Sequence, residues 1–188
     1  MKTRCAWVGN DPLNIDYHDK EWGVPEYDSQ KLFEFLILEG AQAGLSWSTV
    51  LKKRANYRML FDQYNLHKIA IYDESKIQQL MNNPGIIRNR LKIESAVRNA
   101  QACLRIEQKY GSFSDYIWSF VDGKPLINRW KNIKELPAKT PLSDRISSDL
   151  KKEGFNFVGS TICYAFMQAT GMVNDHTIDC FRYQEVMR

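Results

Sequence analysis

Apolar positions in this chain recur at intervals of three and four residues and almost never at intervals of two, a pattern that predicts helices and no extended sheet. In the stretch from Asp28 to Arg54, Leu32, Phe33, Leu36 and Ile37 mark the buried stripe of a first long helix. Gly40 and Gly44 are expected to break it, and Ser46 to cap a second helix whose stripe runs through Trp47, Val50, Leu51 and Tyr57 toward Phe61. Shorter helices are expected from about His67 and about Ser75, the latter ending at Asn82-Asn83-Pro84-Gly85. Ile93, Val97, Ala100 and Leu104 define one face of a longer helix, and Ser112 to Val121 reads as another. Asp122 to Pro141 is an excursion with little periodicity, followed by a helix that Ser143 caps and that runs through Leu150. Ile162, Phe166 and Ala169 mark a last stripe, stopped at Gly171. Residues 1–25 show no periodicity, and Asn10-Asp11-Pro12 and Gly23-Val24-Pro25 read as turns. They carry Trp7, Tyr17 and Trp22, so the segment is expected to pack on the body of the protein. The fold class is all-α, with residues 1–188 as a single domain.

Composition narrows the partners only a little. With 44% hydrophobic and 26% charged residues the chain is an ordinary globular one, and 26 basic against 22 acidic side chains leave a net charge of +4. That bias permits a polyanionic partner without demanding one. No apolar run could cross a bilayer and the N-terminus has no signal-like core, so a cytoplasmic protein with no membrane partner is expected. In that compartment Cys5, Cys103, Cys163 and Cys180 stay reduced, and any shared task is metal binding before disulfide formation.

Three groups of residues have chemical potential. Glu39 stands where the first apolar stripe runs out, so its carboxylate either swings to solvent or enters a pocket that compensates it, close to Trp47. Gly85 and the basic residues Arg88, Arg90, Lys92 and Arg98 join two helices through a tight turn; this is either a cradle for a phosphate or a solvated basic helix. His176 and Cys180, four apart, leave one helix face together, and Cys5 and His18 offer two further ligands of the kind zinc prefers. The alternative is a buried thiol, a hydrogen-bonded imidazole and a coincidental pair. A closed set of four would be structural, since it leaves no position for water. His67, Cys103 and Cys163 belong to helix starts and apolar stripes and fall outside the set.

The blocks CAWVGNDPLNIDYHDKEWGVP, LFEFLILEGAQAGLSW, NPGIIRNRLKI, GFNFVGSTICYAFMQATG and VNDH-x3-C together resemble the family of 3-methyladenine DNA glycosylase I, the constitutive bacterial alkylation-repair enzymes. The resemblance runs from Cys5 to Cys180 in one order. It implies a helix-hairpin-helix glycosylase of two helical lobes whose termini are joined by a structural zinc on Cys5, His18, His176 and Cys180. The implied partner is duplex DNA containing alkylated purines, and the implied reaction is flipping of 3-methyladenine and hydrolysis of its bond to the sugar; nothing in the sequence suggests more than a monomer. Glu39, Tyr17 and Trp47 would line the base pocket with Trp7 and Trp22 nearby. Gly85, Arg88 and Lys92 would meet the DNA backbone, and Leu45 would be the wedge. Asn14 departs from the Tyr common in that family, which puts one aromatic wall of the pocket in question. The Asp that many helix-hairpin-helix glycosylases place after the hairpin is also missing: none lies between Gly85 and Asp115. Glu39 is therefore expected to read the cationic base more than to drive the chemistry. Two rival readings are a module that binds flipped bases without cutting and a metallohydrolase with an open coordination position; a protein-binding scaffold would leave Glu39 among aromatics unexplained.

Overall fold

A computed structural model describes residues 2–187. Most of its helices begin where a short polar side chain can accept a hydrogen bond from the first turn. Helix α2 (Ser29–Gln42) is capped by Asp28, α3 (Trp47–Leu51) by Ser46, α5 (Leu66–Ile69) by Asn65 and α6 (Glu74–Met81) by Asp73. Asn89 caps α7 (Arg90–Tyr110) and Ser112 caps α8 (Phe113–Trp118). Helix α4 (Arg54–Leu60) follows α3 almost directly.

Several expectations need correction. The N-terminal segment is not irregular: α1 (Pro12–Lys20) begins where Asn10-Asp11-Pro12 reads as a turn, because Asp11 accepts from the Leu13 N–H and Pro12 occupies the first helical position. Its buried side chains, Tyr17 and His18, are too few to print a stripe in the sequence. Gly40 does not break α2 but lies inside it, where a side chain would press on Phe157; the helix ends at Gln42, and Gly44 follows with φ +78°. Helix α9 (Pro141–Lys152) starts earlier than expected, on a Thr140 cap, with Ser143 closing the reciprocal capping box from inside the helix. Helix α10 (Ser160–Ala169) and the short α11 (Arg182–Glu185) complete the set. The all-α reading holds apart from one pair of two-residue strands, β1 (Leu126–Ile127) and β2 (Val173–Asn174), which run parallel. Strands this short carry no alternation, and they serve to fasten the otherwise irregular excursion to the C-terminal segment.

Helix α2 is the organising element. From Leu32 to Ala41 every residue is buried, against α10, α8 and α7. Two acids lie in that run and meet opposite fates. Glu34 is held by Arg54 Nε and Arg58 Nη2, each at 2.7 Å. Glu39 has no such partner.

Gly171, between α10 and β2, has φ +70°, and a Cβ there would lie 2.4 Å from the Pro25 nitrogen and 2.5 Å from the Val24 carbonyl carbon. Gly123 has a similar φ of +73° with nothing near it. Gly123→Ala is therefore expected to lose about 1–2 kcal/mol for the left-handed backbone alone. Gly171→Ala must also push the 24–25 backbone aside and is expected to lose clearly more; urea unfolding of the two variants side by side measures the difference, and equal losses would mean the contact yields freely.

Candidate functional site

Helices α1, α2, α3 and α10 converge on a cavity of about 220 Å³. Trp7, Tyr17, Trp22 and Trp47 form its walls, Ile133, Leu136 and Ala165 its apolar remainder, and Glu39, Gln42 and Gln168 its polar groups. The rings interlock: Tyr17 and Trp47 lie 5.2 Å apart at 43°, and Trp7 meets Trp22 edge-on at 5.1 Å. The volume is below the roughly 300–1,000 Å³ of sites for drug-sized ligands and suits a single planar heterocycle.

Polar atoms here lack protein partners. Trp7 Nε1, Tyr17 OH and Trp47 Nε1 are buried with no hydrogen-bond partner, three of five such atoms among the described residues. Leaving a buried donor unmet costs about 1–3 kcal/mol, so three around one cavity point to a ligand with acceptors. Glu39 is 5% exposed and hydrogen-bonds to nothing in the protein. Burial alone raises its pKa from the ordinary 4.5 to about 8. Burial, and then the neighbouring Glu39 charge, push the Tyr17 phenol well up as well. Glu39 is the one ionisable carboxyl among the lining residues.

Cys5, His18, His176 and Cys180 come together as the sequence suggests, all buried, with ligand atoms within 4.8 Å of one another. Cys5 Sγ and His176 Nδ1 are 3.5 Å apart, Cys180 Sγ and His18 Nε2 3.4 Å, and Cys180 Sγ and His176 Nδ1 3.6 Å. Bond lengths of about 2.0–2.3 Å give a mixed S/N zinc tetrahedron edges of about 3.5 Å, so the donor set fits. The far ring nitrogens are already engaged: His18 Nδ1 lies 2.8 Å from Asp19 Oδ1, and His176 Nε2 lies 3.0 Å from the Trp22 carbonyl. Each imidazole thus donates outward and keeps a lone pair for the centre. Arg4 in turn grips Asp19 through both Nε and Nη2, at 2.8 and 2.7 Å. One expectation fails: His176 and Cys180 lie in a turn after β2 and not on a helix, the Cys180 N–H bonding the Thr177 carbonyl. The turn achieves the proximity that a helical spacing would also give. His18 stacks on Trp22 and Trp22 packs edge-on against His176, so the aromatic wall of the cavity is also the flank of this cluster.

Residues 82–89 link α6 to α7. The Gly85 N–H bonds Asn83 Oδ1 and the Ile87 N–H bonds Tyr57 OH, while exposed Arg88 keeps a backbone N–H with no partner among the described residues. Lys92 turns inward: its ammonium donates to the Ala41 and Ala43 carbonyls at 2.8 and 2.7 Å. It thereby braces the 43–46 loop, whose Leu45 is 41% exposed at the mouth of a second cavity of about 230 Å³ that shares Glu39, Gln42 and Ala165 with the first. Asn14 is not on the cavity wall; its amide accepts from Ser48 Oγ and donates to the Val8 carbonyl, tying α1 to α3.

Sequence reasoning missed Gln42, Gln168, Ile133, Leu136 and Ala165. Gln42 follows Glu39 by three, and Gln168 follows Ala165 by three, so helical spacing could have grouped each pair on one face. Ile133 and Leu136 lie in the excursion, where no periodicity exists to find them.

Comparison with known proteins places this geometry. The family model described as methyladenine glycosylase matches residues 7–183. DNA-3-methyladenine glycosylase 1 of Escherichia coli (strain K12) is 53% identical over 180 residues, 96% of either chain. A crystal structure of 3-methyladenine DNA glycosylase I superposes with a TM-score of 0.93 at 56% identity, covering 95% of this chain and 98% of that one. A structure describing 3-methyladenine recognition by 3-methyladenine DNA glycosylase I from Staphylococcus aureus gives 0.92 at 40% identity, covering 95% of each chain.

Because folding raises the Glu39 pKa to about 8, the folded protein keeps a proton that the unfolded chain has released above about pH 4.5. Stability then falls as pH rises through that window. Glu39→Gln removes the titration, so its stability relative to wild type should grow from near zero at pH 4 to ~2–4 kcal/mol at pH 8 and then level off. Denaturant unfolding across pH checks this; a pH-independent offset would mean the carboxyl titrates normally.

Proposed function

The chain belongs to the methyladenine glycosylase family, and from that premise we propose how its cavity serves the reaction. It is a DNA glycosylase that releases 3-methyladenine from alkylated DNA by hydrolysing the bond between base and sugar. The observation that supports the assignment of the cavity is a buried, unpaired carboxyl surrounded by aromatic faces.

Methylation at N3 places a positive charge on the adenine ring. Once flipped out of the duplex, the ring would lie among Trp7, Tyr17, Trp22 and Trp47, whose faces attract a cation by about 0.5–2 kcal/mol each. Glu39 accepts hydrogen bonds from the exocyclic amine, and the incoming cation supplies the countercharge that favours its ionised form. Tyr17 OH and the two indole N–H groups are the donors for ring nitrogens. The bond from C1′ to N9 breaks with its electron pair passing to the base, which leaves neutral; a water adds to C1′ and gives up a proton. No further carboxyl lines the cavity, so the weakness of a bond to a base that departs neutral, and not a strong acid, accounts for the cleavage, while the grip on the cation serves selection and placement.

On the DNA side, α6, residues 82–89 and α7 serve as the helix-hairpin-helix element. Gly85 allows the turn and Arg88 offers an exposed guanidinium and a free N–H to a phosphate. Leu45 enters the gap left by the flipped base. Lys92 acts through that loop, holding it at the edge of the cavity, and Asn14 acts by setting α1 against α3. Zinc bound by Cys5, His18, His176 and Cys180 would supply a structural crosslink between the ends of the chain. The protein would work as a cytoplasmic monomer on duplex DNA.

Incubation with methylated duplex DNA should yield free 3-methyladenine and abasic sites, whereas a module that only binds would hold the base in the strand. Glu39→Gln is expected to retain substantial base release yet lose about tenfold of the preference for 3-methyladenine over adenine. Abolished turnover with unchanged affinity for the free base would instead make Glu39 a participant in bond cleavage. Native mass spectrometry should find one zinc per chain, and its chelation should lower the unfolding temperature; a chelated chain equally stable and still active would remove the ion from the account.

A further inference from the structure

Asp175 is 1% exposed and follows β2 directly, and it is neither one of the four cluster ligands nor itself a lining residue of the cavity. Four donors converge on it. Tyr164 OH reaches Oδ2 at 2.5 Å and Gln168 Nε2 reaches the same oxygen at 2.8 Å, while Asn128 Nδ2 and Trp130 Nε1 reach Oδ1 at 2.6 and 2.7 Å. A carboxylate only accepts, so the amide of Gln168 must turn its nitrogen toward Asp175. Flipping that amide would press its oxygen against a buried carboxylate. Gln168 also lines the cavity, on the same face of α10 as Ala165, and its Oε1 bonds no donor in the protein.

The cavity therefore holds one group that can only accept where the base enters, the locked oxygen of Gln168, beside the Glu39 carboxyl, which accepts through both oxygens once a cationic base draws it into its ionised form. It also holds three donors, Trp7 Nε1, Tyr17 OH and Trp47 Nε1. An exocyclic amine carries two hydrogens and suits both acceptors; a carbonyl oxygen at the same position would meet one of its own kind in the fixed Gln168 oxygen. We propose that Gln168, held in one orientation by Asp175, is a specificity-determining residue that pairs with Glu39 on the exocyclic amine and rejects purine lesions bearing an oxygen there. The inference rests on the reading of the cavity as the base pocket. Asp175 is a positioning residue in this scheme. Through Asn128 and Trp130 it also fixes the excursion that brings Ile133 and Leu136 to the cavity.

The test titrates the full-length protein with free 3-methyladenine and with free 3-methylhypoxanthine, which differ in the amine or oxygen at C6 and in a proton on the imidazole ring, following tryptophan fluorescence. Wild type should prefer 3-methyladenine. Gln168→Met keeps the length of the side chain and removes the acceptor, and the preference should fall about tenfold. Asp175→Asn lets the Gln168 amide present either end, so the preference should fall in the same direction; this variant decides alone if the first does not fold. A preference held within about twofold in the folded variants would overturn the proposal and leave the base-pocket reading standing. Wild type binding neither base would instead overturn the pocket reading itself.

Discussion

An acid buried without a countercharge sets the terms for this molecule. Glu34 and Glu39 stand five apart on the same buried helix, and the fold treats them oppositely. Two arginines neutralise the first, while the second faces a cavity of aromatic rings and unpaired donors. An uncompensated buried carboxyl is costly, and in a structural role it would be replaced at no loss. Its burial, the interlocked rings and the unmet donors make sense together as a cavity prepared for one cationic guest.

Those rings stand where the two ends of the chain meet. Trp7 and Trp22 come from the N-terminal segment, which by itself has only a 3-10 turn at Ala6–Val8 and the short α1 as regular structure. Their backing is the Cys5, His18, His176 and Cys180 cluster, with His18 stacked on Trp22 and the Trp22 carbonyl paired to the His176 ring. The closeness extends to Gly23, where a Cβ would lie 2.8 Å from His176 Nε2. An ion held at this point would help the cavity keep its shape, without any atom of the cluster entering it.

Much of this was legible in the sequence, for identifiable reasons. Capped, amphipathic helices such as α6 and α7 announce themselves through spacing and an N-terminal Asp or Asn. The four cluster residues were findable because Cys and His have few other shared tasks in a reduced chain. Helix α1 was hidden because only two of its side chains are buried, and the β1–β2 pair because two residues make no alternation. Gln168 was illegible for a different reason. A glutamine on a helix reads as surface, and its significance comes from Asp175, a residue that joins it only through the fold.

On the proposed reading of the cavity, selectivity follows from what ionising Glu39 requires. With a pKa near 8 the carboxyl of the free protein is mostly protonated at neutral pH, and each pH unit of that shift corresponds to about 1.4 kcal/mol. Neutral adenine offers nothing to offset that cost and finds a neutral acid with a hydroxyl donor to misplace. A cationic base restores the ordinary balance, drawing the carboxyl back toward its charged form and gaining two stronger hydrogen-bond acceptors at once. Discrimination then arises twice from one charge, in the ring faces and in the protonation of Glu39. The duplex adds a third filter, since a base that pairs poorly is the least costly to extrude. A glycosylase built this way has little need of an acid strong enough to attack undamaged DNA.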